Sequence, residues 1–115
     1  MRSEKLYLSD ILEAAQAIER FLKGHDFDEF EHNEMLNSAV LQKLTVIGEA
    51  AARLSVEFRD RHPEVAWPQA MGLRNVAVHA YFSVDWGTIW ITAIQDVPAL
   101  RSQVAAILAD EFPPS

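Results

Sequence analysis

The chain has no cysteine, which excludes a disulfide framework and thiolate chemistry. It also lacks a basic excess: 10 Lys and Arg stand against 17 Asp and Glu, a formal net charge of −7. A broad cationic face for nucleic acid is excluded, so any RNA contact must be local. No apolar run approaches the ~18 residues of a membrane span. The opening segment, MRSEKLYLSDILEAAQ, is charged and amphipathic, without the apolar stretch of a signal peptide. A cytoplasmic protein is therefore expected. Glycine and proline are sparse, 4 and 5 in 115 residues, and stand mostly at the margins of apolar segments. That placement favours helices over a strand-and-turn fold.

What is present is apolar periodicity. Half of the residues are hydrophobic, enough for one core in a single domain spanning residues 1–115. Leu8, Ile11, Leu12, Ala15, Ile18 and Leu22 recur at three- and four-residue steps, predicting a first helix from Ser3 to Lys23. Ser3 is its predicted N-cap and Gly24 its stop. HDFDEFEHNE follows as a polar loop or short helical turn, anchored by Phe27 and Phe30. A long second helix is predicted from Glu34 to Arg61, with Leu36, Val40, Leu44, Ile47, Ala51, Leu54 and Phe58 as its seam. Within it, Gly48 and Ala50 to Ala52 leave one side bare. Glycine inside a helix costs roughly 1 kcal/mol against alanine, which points to close approach of another helix. His62 and Pro63 end this segment, and Trp67–Pro68 opens a third helix. Ser83 and Asp85 are candidate caps for a fourth, containing Trp86, Ile89, Trp90, Ala93 and Ile94. Pro98 must kink or restart it. A fifth helix covers Ala99 to Ala109, and the tail EFPPS is expected to fray. The fold class is all-α, an antiparallel up-and-down bundle of four to five helices.

The chemistry concentrates in GLRNVAVHAYF, residues 72–82. Histidine takes up and releases protons near neutral pH. Arginine is a permanent cation whose fork matches phosphate oxygens. Arg74 and His79 together suit metal-free RNA cleavage. The 2′-OH loses its proton and attacks the adjacent phosphorus, and the 5′-oxygen leaves. His79 would move the protons and Arg74 would stabilise the pentacoordinate phosphate. Asn75 would bond phosphate or orient a neighbour. Geometry sets a condition. At about 100° per residue, Tyr81 lies nearly above Arg74, but His79 is about 140° around the axis. A straight helix does not aim all three at one point. Two arrangements meet the condition: the helix ends near His79, or two copies of the chain share the site across a two-fold axis, and both can hold together.

LRNVAVHAYFSVDWGTIW resembles the HEPN superfamily, and within it the HepT-type toxins, at the signature Arg, four to six residues, His, any residue, Tyr. Here the signature is Arg74, Asn75-Val-Ala-Val, His79, Ala80, Tyr81, with no departure. IGEAAARLSVEF, the Trp67 approach to LRN, the VD-to-Trp90 step and VPALRSQV are also similar, so the likeness covers nearly the whole chain. It implies a HEPN-like helical bundle that forms a homodimer with a composite cleft. It implies a metal-independent endoribonuclease that needs no cofactor, the toxin of a type VII toxin–antitoxin pair. The partner would be a minimal nucleotidyltransferase antitoxin that silences the toxin by AMPylation of Tyr81. The alternative from another class is a catalytically silent HEPN-like bundle acting as a scaffold partner of a nucleotidyltransferase.

The remaining polar clusters have plainer readings. His25, Asp26, Asp28, Glu29, Glu31 and His32 read as a solvated loop rather than a metal site. His62 beside Pro63 reads as structural. Trp86 and Trp90, four apart, read as core or dimer seam. Arg53, Arg59 and Arg61 are candidates to add local positive charge beside Arg74. The apolar stripes of the second and fourth helices exceed the needs of one small bundle, which also points to a dimer.

Overall fold

A computed structural model describes residues 3–83 and 85–114, with only the backbone of Tyr81 and Ser83. The helices in chain order are α1 (Glu4–Leu22), α2 (Phe27–His32), α3 (Glu34–Arg53), α4 (Val56–Asp60), α5 (Trp67–Met71), α6 (Leu73–Ser83), α7 (Trp86–Ile91) and α8 (Val97–Glu111), with a π-helical turn at Thr92–Asp96. No strand occurs among the described residues. No helix there is long and apolar enough to cross a membrane.

α1 begins and ends as its sequence predicts. The Ser3 side chain accepts a hydrogen bond from the Leu6 amide, and Gly24 takes φ +81° just past the end. Its inward face, Leu8, Ile11, Ala15 and Ile18, is fully buried. The acidic stretch after it is a true short helix, α2. Asp26 and Glu29 form a reciprocal capping box at its start. Phe30 of α2 is fully buried, and Trp86 and Trp90 pack against it at ring-centroid distances of 5.9 and 5.4 Å. Both tryptophans therefore serve the core. Asn37, itself buried, donates its amide to the carbonyls of Phe30 and Glu31, satisfying the end of α2.

The predicted second helix, Glu34 to Arg61, is broken in two. Leu54 adopts extended backbone at the end of α3. Ser55 then caps α4, its hydroxyl accepting from the Phe58 amide at 3.1 Å. The Glu4 carboxylate accepts from the Ser55 amide at 3.3 Å, and Arg59 donates to the Leu54 carbonyl at 2.6 Å. Leu54 and Phe58 stay buried, so the seam runs on across the break. The predicted third helix is also split, at Gly72, which caps α5. Pro98 sits in the first turn of α8. A proline ring clashes with the carbonyl four residues back. The π turn before it widens the backbone, and the Val97 amide bonds the Thr92 carbonyl. The tail is less loose than expected: Phe112 packs against the core, and Glu111 pairs with Arg61 at 3.1 Å.

α1 packs on α3 and α8, and α3 also packs on α6. The Glu4–Ser55 contact joins the start of α1 to the end of α3, so these two are antiparallel. Arg101, early in α8, pairs with Glu19, late in α1, so this pair is antiparallel as well. α6 also runs against α3: Arg74 lies beside Gly48, while Val78 and Phe82 line a groove with Ser38, Leu41 and Thr45. The result is the antiparallel, HEPN-like bundle of the expectation, its rods broken into shorter pieces.

Candidate functional site

α6 is placed by its small and apolar residues. Leu73, Ala77 and Ala80 are buried at four- and three-residue steps, which turns Arg74, Asn75, Val78, His79 and Phe82 outward. α6 then lies very close to α3. A Cβ built on Gly48 would stand 2.6 Å from the Arg74 backbone nitrogen and 3.1 Å from the Arg74 Cβ. The bare side of the long helix thus receives another helix, at the residue expected to meet phosphate.

The next residue of α3 holds the Arg74 side chain. Arg74 Nε pairs with Glu49 Oε1 at 3.0 Å, and the two side chains are 60% and 39% exposed. The guanidinium is both seated and open to solvent. Glu49 does not stand out in the sequence, although it directly follows the glycine that marks the close approach.

His79 is exposed. α6 continues past it to Ser83, which overturns the first of the two geometric alternatives. Within one chain Arg74 and His79 remain about 140° apart around the axis. Val78 and Phe82, 48% and 83% exposed, lie between them as an apolar ridge. Asn75 is exposed on the same outer face. The backbone of Tyr81 continues the helix, but its side chain, and with it the predicted modification position, lies outside the described residues, as do Val84 and the Ser83 side chain.

The other arginines are divided. Arg53, at the end of α3, lines an open trough with Tyr7, Gln42, Thr45 and Glu49. Arg59 is committed to the α3–α4 corner. Arg61 pairs with Glu111 and lies over the Phe58 ring. Among these three, Arg53 lines the same trough as Glu49, the partner of Arg74. The surplus apolar surface expected on the second and fourth helices is unevenly placed. The α3 seam is consumed inside the bundle, with Val40, Leu44, Ile47 and Ala51 fully buried. Exposed large apolar residues are spread along the chain: Leu6 on α1, Met35 at the start of α3, Val56 on α4, Val78 and Phe82 on α6, and Ile91 and Ile94 on the predicted fourth helix.

Outside α6 the polar clusters are structural or solvated. His25 pairs with Glu29 at 3.3 Å. Asp28, Glu31 and His32 bring ligand-type atoms within 4.8 Å of one another, all three oriented to the surface side of α2. The Asp28 carbonyl, accepting from His32 Nδ1, raises the His32 pKa above 6.5, with the Asp28 carboxylate adding to it. His62 is 14% exposed, held between Glu64 and Glu111 and against the Phe58 ring. Asp85 caps α7 as predicted, accepting from the Thr88 hydroxyl and amide. Those two bonds hold its carboxyl below the ordinary 3.8.

The antiparallel all-helical bundle, with Arg74 and His79 exposed on α6, is HEPN-like in architecture. The chain belongs to the ribonuclease HepT-like family, whose model matches residues 11–107. It is 38% identical over 106 residues to "Putative RNase MJ1380" of Methanocaldococcus jannaschii, covering 92% of this chain and 97% of that protein. It is 37% identical over 102 residues to "Probable ribonuclease HepT" of Thermococcus cleftensis, covering 89% of this chain and 93% of that one. It is 35% identical over 111 residues to "Putative RNase TTE0752" of Caldanaerobacter subterraneus, covering 96% and 99%. No solved structure gives a significant match.

Proposed function

We propose that the chain is a metal-independent endoribonuclease, one helical domain over residues 1–115, acting as a cytoplasmic homodimer in a toxin–antitoxin pair. The observation that carries this is the open face of α6, where Arg74 and His79 are both exposed. Family membership over most of the chain supports the same reading. His79 takes the 2′-hydroxyl proton, or returns one to the departing 5′-oxygen. The new bond joins the 2′-oxygen to phosphorus, the bond to the 5′-oxygen breaks, and a 2′,3′-cyclic phosphate remains. Arg74 stabilises the charge that builds on the phosphoryl oxygens, and Asn75 supports it by hydrogen bonding. The local charge of Arg74 and Arg53 attracts RNA despite the net charge of −7.

The angular separation of Arg74 and His79 supports the dimer reading. A second copy seated on the Val78–Phe82 ridge covers apolar surface and brings its own α6 into the cleft. Arg74 of one copy then meets His79 of the other. Phe82→Glu places a charge in that seam. The substituted protein is expected to run as a folded monomer by light scattering and to lose RNA cleavage. A dimer that persists unchanged would place the interface elsewhere.

Regulation is the finer part of the proposal. A minimal nucleotidyltransferase antitoxin transfers AMP from ATP onto the Tyr81 oxygen, with pyrophosphate leaving. Each AMP adds a phosphodiester anion and a base to the motif, a charge opposed to that of Arg74 and a bulk that hinders RNA. Co-production with that partner is expected to add AMP masses on the Tyr81 peptide and to reduce cleavage in step with the modified fraction. Tyr81→Phe is expected to fold, to escape modification and to stay active in the partner's presence. AMP on Tyr7 or on a serine, with Tyr81 unmodified, would contradict the assignment. Cleavage of RNA by the unmodified protein in EDTA, leaving cyclic phosphate ends, tests the activity itself. An uncut substrate at high protein concentration would favour the silent scaffold.

A further inference from the structure

We propose that Glu49 is a positioning residue for Arg74: its carboxylate fixes the guanidinium at a set angle and leaves the outer fork free for the scissile phosphate. The inference rests on the ribonuclease reading and deepens it.

Two consecutive residues of α3 act on Arg74. Gly48 admits the Arg74 backbone so closely that a Cβ would stand 2.6 Å from its nitrogen. Glu49 then takes Nε at 3.0 Å. α3 itself is a firm platform, since Val40, Leu44, Ile47 and Ala51 on its inner face are fully buried. Arginine has a long, flexible stem, and an exposed one samples many rotamers. A carboxylate oxygen 3.0 Å from Nε restrains that freedom by charge. The contact is at Nε rather than at the two terminal nitrogens, the edge suited to two phosphate oxygens. Among the described residues, Glu49 is the charged partner that Arg74 has.

A stability role does not account for this pair well. Exposed ion pairs contribute little to folding, and both side chains are substantially exposed. The arrangement instead has opposing effects on two steps of the reaction. The Glu49 charge lies beside the cation and weakens attraction of the ground-state phosphate. The fixed guanidinium helps most where charge is greatest, in the pentacoordinate transition state. Loss of Glu49 therefore lowers turnover while leaving substrate binding equal or tighter. Loss of a merely structural contact does not split the two constants in that way.

The test uses the full chain with Glu49→Ala and Glu49→Gln, in steady-state RNA cleavage and in nitrogen NMR of the Arg74 Nε–H. Glu49→Ala is expected to lower kcat roughly ten- to a hundredfold, with KM unchanged or reduced and the thermal midpoint unmoved. Glu49→Gln keeps an acceptor for Nε and is expected to fall between Ala and the wild type. The Arg74 Nε–H is expected to exchange slowly with water in the wild type and fast in Glu49→Ala. A kcat for Glu49→Ala within about twofold of wild type, or a raised KM at full kcat, overturns the proposal. So does Nε–H exchange that Glu49→Ala leaves unchanged. A wild type that cuts no RNA rejects the ribonuclease reading instead, and the exchange measurement then decides by itself whether Glu49 orders Arg74.

Discussion

Arg74→Ala and His79→Ala should each reduce RNA cleavage by about a hundredfold to ten-thousandfold, with the helical content and melting point held. The size follows from the two roles. Positioned proton transfer contributes typically about 10²–10⁴ in rate. One preorganised charge on a developing oxyanion contributes about 10²–10³. The two groups act on one transition state, so the double substitution should cost little more than the worse single one. Stability is spared because neither side chain is core. Arg74 loses an exposed pair with Glu49, worth about 0–1 kcal/mol at most. His79 lies on the outer face of α6. Asn75→Ala, by contrast, should cost less, since it removes a supporting hydrogen bond rather than the charge or the proton carrier. Rates in EDTA, with thermal melts of the same preparations, check each of these.

Gly48→Ala should lower stability by about 1–2 kcal/mol, against the helix propensity that favours alanine by about 1 kcal/mol. The added methyl would stand 2.6 Å from the Arg74 backbone nitrogen, 3.1 Å from its Cβ and 3.3 Å from its Cα. These are backbone or near-backbone atoms, not the end of a side chain that can rotate aside. α6 must therefore move off α3. The shift falls on the first turn of α6, where Arg74 sits, so cleavage should drop by about tenfold or more beyond any loss of folded protein. Thermal melts and rates on the same preparation separate the two effects. A Gly48→Ala protein as stable and as active as the wild type would show that the close approach relaxes without consequence.

Much of this architecture is readable from local chemistry, because its causes are local. Ser3 and Gly24 bound α1, Pro68 marks the start of α5 and Asp85 caps α7. The breaks inside the predicted long helices are a different matter. The α3–α4 corner is held by Glu4 on Ser55, a contact across 51 residues of sequence. Leu54 and Phe58 keep the apolar period in phase on either side of it, so periodicity carries no trace of the break. The Asp26–Glu29 capping box has the spacing of a helix start, and the structure resolves the loop-or-turn reading of the acidic run in favour of a short helix. At the site, Arg74, Asn75 and His79 stand out by residue type and spacing. Glu49 does not, because its role arises from the packing of α3 against α6. Arg59 and Arg61 mislead for the complementary reason. Their charge is visible in sequence, whereas the Arg59 carbonyl partner Leu54 arises only at the helix break and the Arg61 carboxylate partner Glu111 lies 50 residues away.

The central claim is that Arg74 of one copy works with His79 of another. The direct measurement is RNA cleavage by Arg74→Ala and His79→Ala proteins, assayed singly and after co-refolding in equal amounts. A mixed dimer pairs the intact Arg74 of one copy with the intact His79 of the other at one of its two sites. Half of the dimers are mixed, so the co-refolded sample should recover about a quarter of wild-type activity while each variant alone stays inactive. A co-refolded sample no more active than either variant, with mixed dimers demonstrably present, would contradict the shared site.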